Sequence, residues 1–298
     1  MNGTVAEGTP CLVGLGGVVL DTHDLTATRG FYDKLFAETA GQWQEPHGGL
    51  TFRTASQRIE FRKRSRPRTL NHAGQHTAYR VAPGRLQSLA QELEAGGFEA
   101  NWWREDHPNE KTTTLYTRDP SGNIVQLVGS EDRSLLLDHY YVPVEDIEQA
   151  ELFYMKALAA ELDAYYGYST AHVKEARKWA EGGDPCAPWT RNAFVSFRTH
   201  APNPTPAAQI FARFGPSYIG VALSGQRLPE PPEELLKGTP RAILRSTSTV
   251  RELTQYLSKL RISPVALKYD GGQVAFKREG NSVFLRDRSG NFIEIECA

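Results

Sequence analysis

A long internal repeat sets the tightest limit on what this chain can fold into. Residues 17–32, GVVLDTHDLTATRGFY, align with residues 139–154, HYYVPVEDIEQAELFY, at an offset of 122. Asp24 and Asp146, Phe31 and Phe153, and Tyr32 and Tyr154 recur at that offset. Each stretch opens as an apolar strand, places an Asp where a helix N-cap belongs, and then spaces apolar residues helically. The spacing predicts Leu25, Ala27, Phe31 and Leu35 as the buried stripe of the first helix. Ile147, Ala150, Phe153 and Leu158 are its counterparts in the second.

The copies also end alike. LYTRDPSGNIVQL at 115–127 matches VFLRDRSGNFIEI at 283–295, at an offset of 168. Asp, Ser, Gly and Asn make a tight turn in each, with Gly122 and Gly290 free to take positive φ. The flanks alternate apolar and polar residues, as a β-hairpin requires. The two offsets differ by 46, so the second copy carries about that many extra residues, placed within 163–239.

A finer repeat lies inside each half. HTAYRVAPGRLQSLAQELEAGGF at 76–98 and RAILRSTSTVRELTQYLSKLRI at 241–262 both read as strand, turn and amphipathic helix. The chain therefore parses as an α+β protein of four βαβββ modules paired into two domains, 10–130 and 135–298, joined near Gly129–Ser134.

Bulk properties narrow the function classes. Lys and Arg (34) nearly cancel Asp and Glu (35), so no global field favours nucleic acid or an anionic membrane. No run of about 18 apolar residues is present, so no helical membrane span is expected. The first ten residues have neither a basic nor an apolar leader pattern, and Cys11, Cys186 and Cys297 are odd in number and widely spaced. A cytoplasmic protein with reduced thiols is the expectation. Any bound metal must then come from His, Gln and carboxylates. Gly14, Gly16 and Gly17 lack the strand-to-helix context and Lys of a phosphate loop. The basic run Arg62, Lys63, Arg64, Arg66 and Arg68 reads as a solvated loop, with an anion site as the alternative.

The strand, the Asp-Leu-type helix start, Phe-Tyr on the helix and the closing Asp-Pro-x-Gly-Asn turn (Arg288 stands for Pro in the second copy) with its hydrophobic-x-Gln/Glu strand together resemble the vicinal oxygen chelate superfamily. That superfamily includes glyoxalases, bleomycin-binding proteins and extradiol dioxygenases, and the resemblance covers nearly the whole chain outside the insertion. It implies ligand positions on the first strand of a domain, the strand opening its second module, and the last strand. Those positions are Gly17, His76 and Gln126 in the first half. In the second they are His139, Arg241 (or Pro240, one residue away) and Glu294. Neither half supplies a full set: Gly17 has no side chain and Arg241 stays protonated. In some relatives the first-strand ligand crosses to the other domain, which would unite His76, Gln126 and His139.

The extradiol enzymes also carry a His, an apolar-Tyr and an Asp-Pro-x-Gly-type pattern. His107, Leu115-Tyr116 and Asp119-Pro120-Ser121-Gly122 are similar to it, with Gln126 where that pattern has Glu. The resemblance thus implies a divalent metal held by His76, Gln126, His139 or Glu294, with Tyr116 donating a hydrogen bond and His107 moving a proton. Fe(II) would support ring cleavage of a catecholic or hydroquinone-like aromatic; Zn, Ni or Mn would support glyoxalase-like lyase or isomerase chemistry. A metal-free protein that sequesters a small aromatic is the reading from another class. The partners expected are a small aromatic or vicinal-oxygen substrate and further copies of the chain, with no nucleic acid and no membrane.

Overall fold

A computed structural model describes residues 11–46, 48–67, 70, 75–103, 114–166, 209–223, 240–263, 267–268, 274–275 and 281–298. His107, Arg68, Cys186 and most of the 163–239 insertion lie outside the described residues.

The four modules follow one another along the chain. The first is β1 (Leu12–Thr22), α1 (Leu25–Phe36), β2 (Gln42–Gln44), β3 (Gly49–Arg53) and β4 (Arg58–Lys63). The second is β5 (His76–Val81), α2 (Leu86–Ala95), β6 (Asn101–Trp103), β7 (Thr114–Arg118) and β8 (Ile124–Gly129). β9 (Leu137–Val144), α3 (Ile147–Glu151), β10 (Glu161–Tyr166), β11 (Gln209–Phe214) and β12 (Ser217–Leu223) make the third. The fourth holds β13 (Arg241–Ser246), α4 (Val250–Lys259), β14 (Leu267–Lys268), β15 (Val274–Ala275), β16 (Ser282–Arg286) and β17 (Phe292–Glu296). No helix among the described residues is long and apolar enough to cross a membrane.

The helices α1 and α3 start where the sequence places their Asp caps. The Asp24 carboxylate accepts from the Ala27 amide at 2.9 Å, and Asp146 accepts from the Glu148 and Gln149 amides. α4 begins with a reciprocal Thr249–Glu252 capping box. The buried face of α1 is Thr28, Phe31, Tyr32, Leu35 and Phe36. Ala27, expected on the buried stripe from spacing, is exposed, and the next residue, Thr28, takes the buried position one turn before Phe31 and Tyr32. α3 runs on as a π-helical stretch, Leu152–Ala157, which rotates Tyr154 and Ala157 inward.

Among the described residues two large sheets carry most of the strands, each drawing on both halves of the sequence, and β14 and β15 form a separate two-stranded pair. The eight-stranded sheet runs β10-β11-β12-β9-β5-β8-β7-β6, joining the second and third modules. The seven-stranded sheet runs β16-β17-β13-β1-β4-β3-β2, joining the first and fourth. The central seams match: β9 pairs antiparallel with β5, placing His139 opposite Ala78, and β1 pairs antiparallel with β13, placing Gly17 opposite Ile243. Each seam carries a register shift just before that residue, between Leu15 and Gly17 in β1 and beside Leu137–His139 in β9.

Within each half, modules are held by the recurring turn instead. Tyr32 on α1 donates to Asp119 in the β7–β8 turn at 3.2 Å, and Tyr154 donates to Asp287 in the β16–β17 turn at 3.0 Å. The Asn123 side chain donates to the Asp21 carbonyl and Asn291 to that of Pro143, so each turn grips the end of the preceding module's first strand. Gly122 and Gly290 close these turns at φ of 87° and 92°.

Candidate metal centre

Three side chains from three strands meet at the seam of the eight-stranded sheet. His76 opens β5, Gln126 sits on the adjacent parallel strand β8, and His139 lies on β9 at the other side of β5. His76 Nε2 is 2.9 Å from Gln126 Oε1 and 3.2 Å from His139 Nε2. All three are buried.

These separations suit ligands of one ion. Two nitrogen donors about 2.1 Å from a metal lie roughly 3.0 Å apart at a right angle and roughly 3.4 Å apart at a tetrahedral one. Hydrogen bonding alone leaves the cluster poorly matched. His139 Nδ1 lies 2.8 Å from the Asp138 carboxylate, which accepts its proton and leaves the Nε2 lone pair facing His76. A single Nε2–H on His76 can serve only one of its two neighbours. The set therefore presents more lone pairs than protons to one point, and its residues fit a divalent cation. Among the described residues no group of three His, Cys, Asp or Glu side chains has metal-holding geometry, so the set rests on its two imidazoles and the Gln126 amide oxygen.

Aromatic rings surround this cluster. Tyr141 stacks on His76 with centroids 4.7 Å apart at 15°, and Tyr116, opposite Gln126 on β7, has its ring centroid 5.9 Å from that of His76. Phe211 on β11 stands 5.9 Å from His139. Gly220 makes the Tyr141 placement possible, since an added Cβ would lie 2.3 Å from the Tyr141 ring. Burial, followed by the nearby Tyr116, pushes the Tyr141 hydroxyl well above its ordinary value. The structure thus brings His76, Gln126, His139 and Tyr116 together.

Glu294, expected among the ligands from its place on the last strand, does not join them. It lies in the other sheet, where Arg241 holds one carboxylate oxygen at 2.7 Å. The other oxygen accepts from Ser282 at 2.9 Å and faces Arg58 at 3.4 Å. Arg58 also pairs with Glu60 and Glu296. Position 17 cannot carry a ligand there, because a Cβ on Gly17 would lie 1.9 Å from the Arg58 carbonyl oxygen. A guanidinium supplies the positive charge that an ion supplies in a ligand cluster. Two residues of the neighbouring basic run are paired in the same way, Arg62 with Glu60 and Arg64 with Asp21.

Sequence reasoning passed over Asp138 and Arg80. Burial opposes ionisation of Asp138, yet hydrogen bonding and charge from His139 and Arg80 hold its carboxyl below the ordinary range. The sequence carried no usable signal for either, since regular alternation would turn Asp138 away from the His139 imidazole.

With the site in view, the likeness to solved structures can be weighed. Glyoxalase I from Zea mays superposes with a TM-score of 0.58 at 14% identity, over 95% of this chain and 91% of that one. A "putative dioxygenase" from Bacillus subtilis subsp. subtilis str. 168 superposes with a TM-score of 0.60 at 11% identity, over 97% of this chain and 86% of that one. No protein-family model and no curated protein sequence matches the chain. The chain shares the fold of these two structures, mixed α+β, with its modules carried mainly on two large sheets.

Proposed function

We propose that the chain is a metal-dependent enzyme of the vicinal oxygen chelate type, acting on a small molecule with two adjacent oxygens. The reaction best matched is Fe(II)- and O₂-dependent ring cleavage of a catecholic or hydroquinone-like aromatic. The observation that carries this reading is that His76 Nε2 lies 2.9 Å from Gln126 Oε1 and 3.2 Å from His139 Nε2, which groups two imidazoles and one oxygen. A divalent ion held there would act as Lewis acid and template for the two substrate oxygens.

The chain's own residues would do the rest. Phe211, partly exposed and 5.9 Å from the His139 ring, would offer an aromatic contact to a bound ring. Tyr116, buried beside His76, would donate a hydrogen bond to a bound hydroxyl and so orient it.

A glyoxalase-like lyase or isomerase is the second reading, and Gln126 favours it. A neutral amide leaves the full charge of the ion on the substrate oxygens, which suits proton transfer more than O₂ activation. The two reactions part on substrates. The protein, purified without chelator, is assayed for bound metal as wild type, His76→Ala and His139→Ala, then for O₂ uptake with a catechol panel and for turnover of 2-oxoaldehyde adducts. Stoichiometric metal that both variants lose, with O₂ consumption, supports ring cleavage; metal with adduct turnover alone supports the second reading. Absence of metal after reconstitution with Fe(II), Ni(II) and Zn(II) overturns both and leaves a small-molecule binding protein.

A further inference from the structure

Asp138 connects the candidate centre to a fixed guanidinium. Its Oδ2 lies 2.8 Å from His139 Nδ1, while its Oδ1 accepts from Arg80 Nε at 2.7 Å. Arg80 is itself anchored twice more, by Nη1 to Asp132 at 2.8 Å and by Nη2 to the Pro216 carbonyl at 3.0 Å. The arginine is thus held by the inter-half segment and the β11–β12 turn, and the carboxylate between it and the imidazole has both oxygens committed. Asp138 occupies the irregular step of the β5–β9 seam, where a bulged residue changes which way its neighbours point.

The duplicated seam shows what happens without it. At the 122 offset Asp138 corresponds to Gly16 and His139 to Gly17, and at an offset of 165 His76 corresponds to Arg241 and Arg80 to Arg245. The register of the two seams agrees with those pairings. Arg245 lies over Gly16, with its Cγ 2.7 Å from where a Cβ would stand. Its buried Nε has no hydrogen-bond partner among the described residues. The copy without a first-strand imidazole has the arginine and lacks the carboxylate.

We infer that Asp138 is a positioning residue for the His76–Gln126–His139 centre: with Arg80 behind it, it fixes the proton of His139 on Nδ1 and so keeps the Nε2 lone pair aimed at the ion. The inference rests on the metal-centre reading, but its first consequence concerns the imidazole alone. A ligating histidine held this way is locked in tautomer and orientation, and loss of such a partner typically weakens metal binding by roughly 10–100-fold.

Asp138→Asn makes the sharpest test. Arg80 donates, so the Asn oxygen must face Arg80 and its NH₂ must face His139 Nδ1. That arrangement moves the imidazole proton to Nε2, the atom needed for the ion. Long-range ¹H–¹⁵N spectra of the full-length, metal-free protein, with His139 assigned through His139→Gln, should show the Nδ1–H form in wild type and the Nε2–H form in Asp138→Asn. Asp138→Glu should retain Nδ1–H. Co(II) titration should show roughly 10–100-fold weaker binding for Asp138→Asn and partial recovery for Asp138→Glu. A purely structural role would lower the thermal midpoint of the variants without moving the tautomer.

An unchanged Nδ1–H form in Asp138→Asn, with Co(II) affinity equal to wild type, overturns the inference and leaves the metal-centre reading standing. A shifted tautomer in a protein whose wild type takes no Co(II) overturns the metal-centre reading but keeps Asp138 as the residue that orients His139.

Discussion

One side chain decides the character of each duplicated seam. At the first residue of β5 a histidine faces Gln126; at the first residue of β13 an arginine faces Glu294. Glu294 is fully buried, so Arg241→Met would remove the guanidinium nearest its carboxylate and leave Arg58 at a longer distance. A loss of about 3–5 kcal/mol in urea unfolding is expected. The Arg241→Met/Glu294→Met double variant should recover most of it, since desolvating the pair offsets much of its attraction. In the other seam, Gln126→Glu would add a charged oxygen to two imidazoles and should tighten Co(II) binding about tenfold in a calorimetric titration. His76, Gln126 and His139 were legible as a set because the residues lost from the two halves, Gly17 and Arg241, were complementary. Asp138 was not: a carboxylate beside a histidine on a strand points to the opposite face by alternation, and only the irregular step at Leu137–His139 brings it to the imidazole.

At the scale of elements, the repeated Tyr and the repeated turn explain each other. Tyr32 and Tyr154 are fully buried, and their hydroxyls reach the carboxylates of Asp119 and Asp287, which also take the Asn123 and Asn291 side chains. Tyr32→Phe and Tyr154→Phe should each cost about 1.5–3 kcal/mol in chemical denaturation, the range for a hydrogen bond to a charged group. Burial raises both carboxyls above the ordinary Asp value, although the Asn side chains and turn amides pull the other way. A folded-state value above the unfolded one means the native protein binds the extra proton. This group's contribution is least favourable at neutral pH and improves as pH falls through the folded value, levelling off below the unfolded value near 3.8. The stability gap between wild type and Asp119→Asn, which cannot titrate, should therefore widen on acidification from pH 7. The turn and its glycines were readable from the alternating flanks. Their docking on a helix from another module was not, because a Tyr at a buried helical position looks the same whether its hydroxyl meets carboxylate or backbone.

The whole molecule is tied in two directions by these contacts. Hydrogen-bonded sheets link modules across the two halves, first with fourth and second with third, while the Tyr–Asp–Asn clasps link modules within a half. Gln57 adds a further tie across the halves: its side chain donates to the carbonyls of Leu15 and Leu137 and accepts from the amides of Leu136 and Leu137. Local patterning could define the four modules but not this pairing, since a strand's period specifies which face is buried and says little about which distant strand lies beside it. A consequence follows for the halves 10–130 and 135–298 produced separately. Each would keep its clasps but expose the seam edges of two strands, β1 and β5 in one and β9 and β13 in the other, and unpaired edges of this kind drive association. Size-exclusion chromatography should find each half self-associated or aggregated, and mixing them should restore a complex with the mass of the intact chain. Because His139 lies on one half and His76 and Gln126 on the other, Co(II) binding should return only with that complex. A half that stays monomeric and stably folded alone, by circular dichroism and sedimentation, would show that the seams contribute little beyond what the clasps already hold.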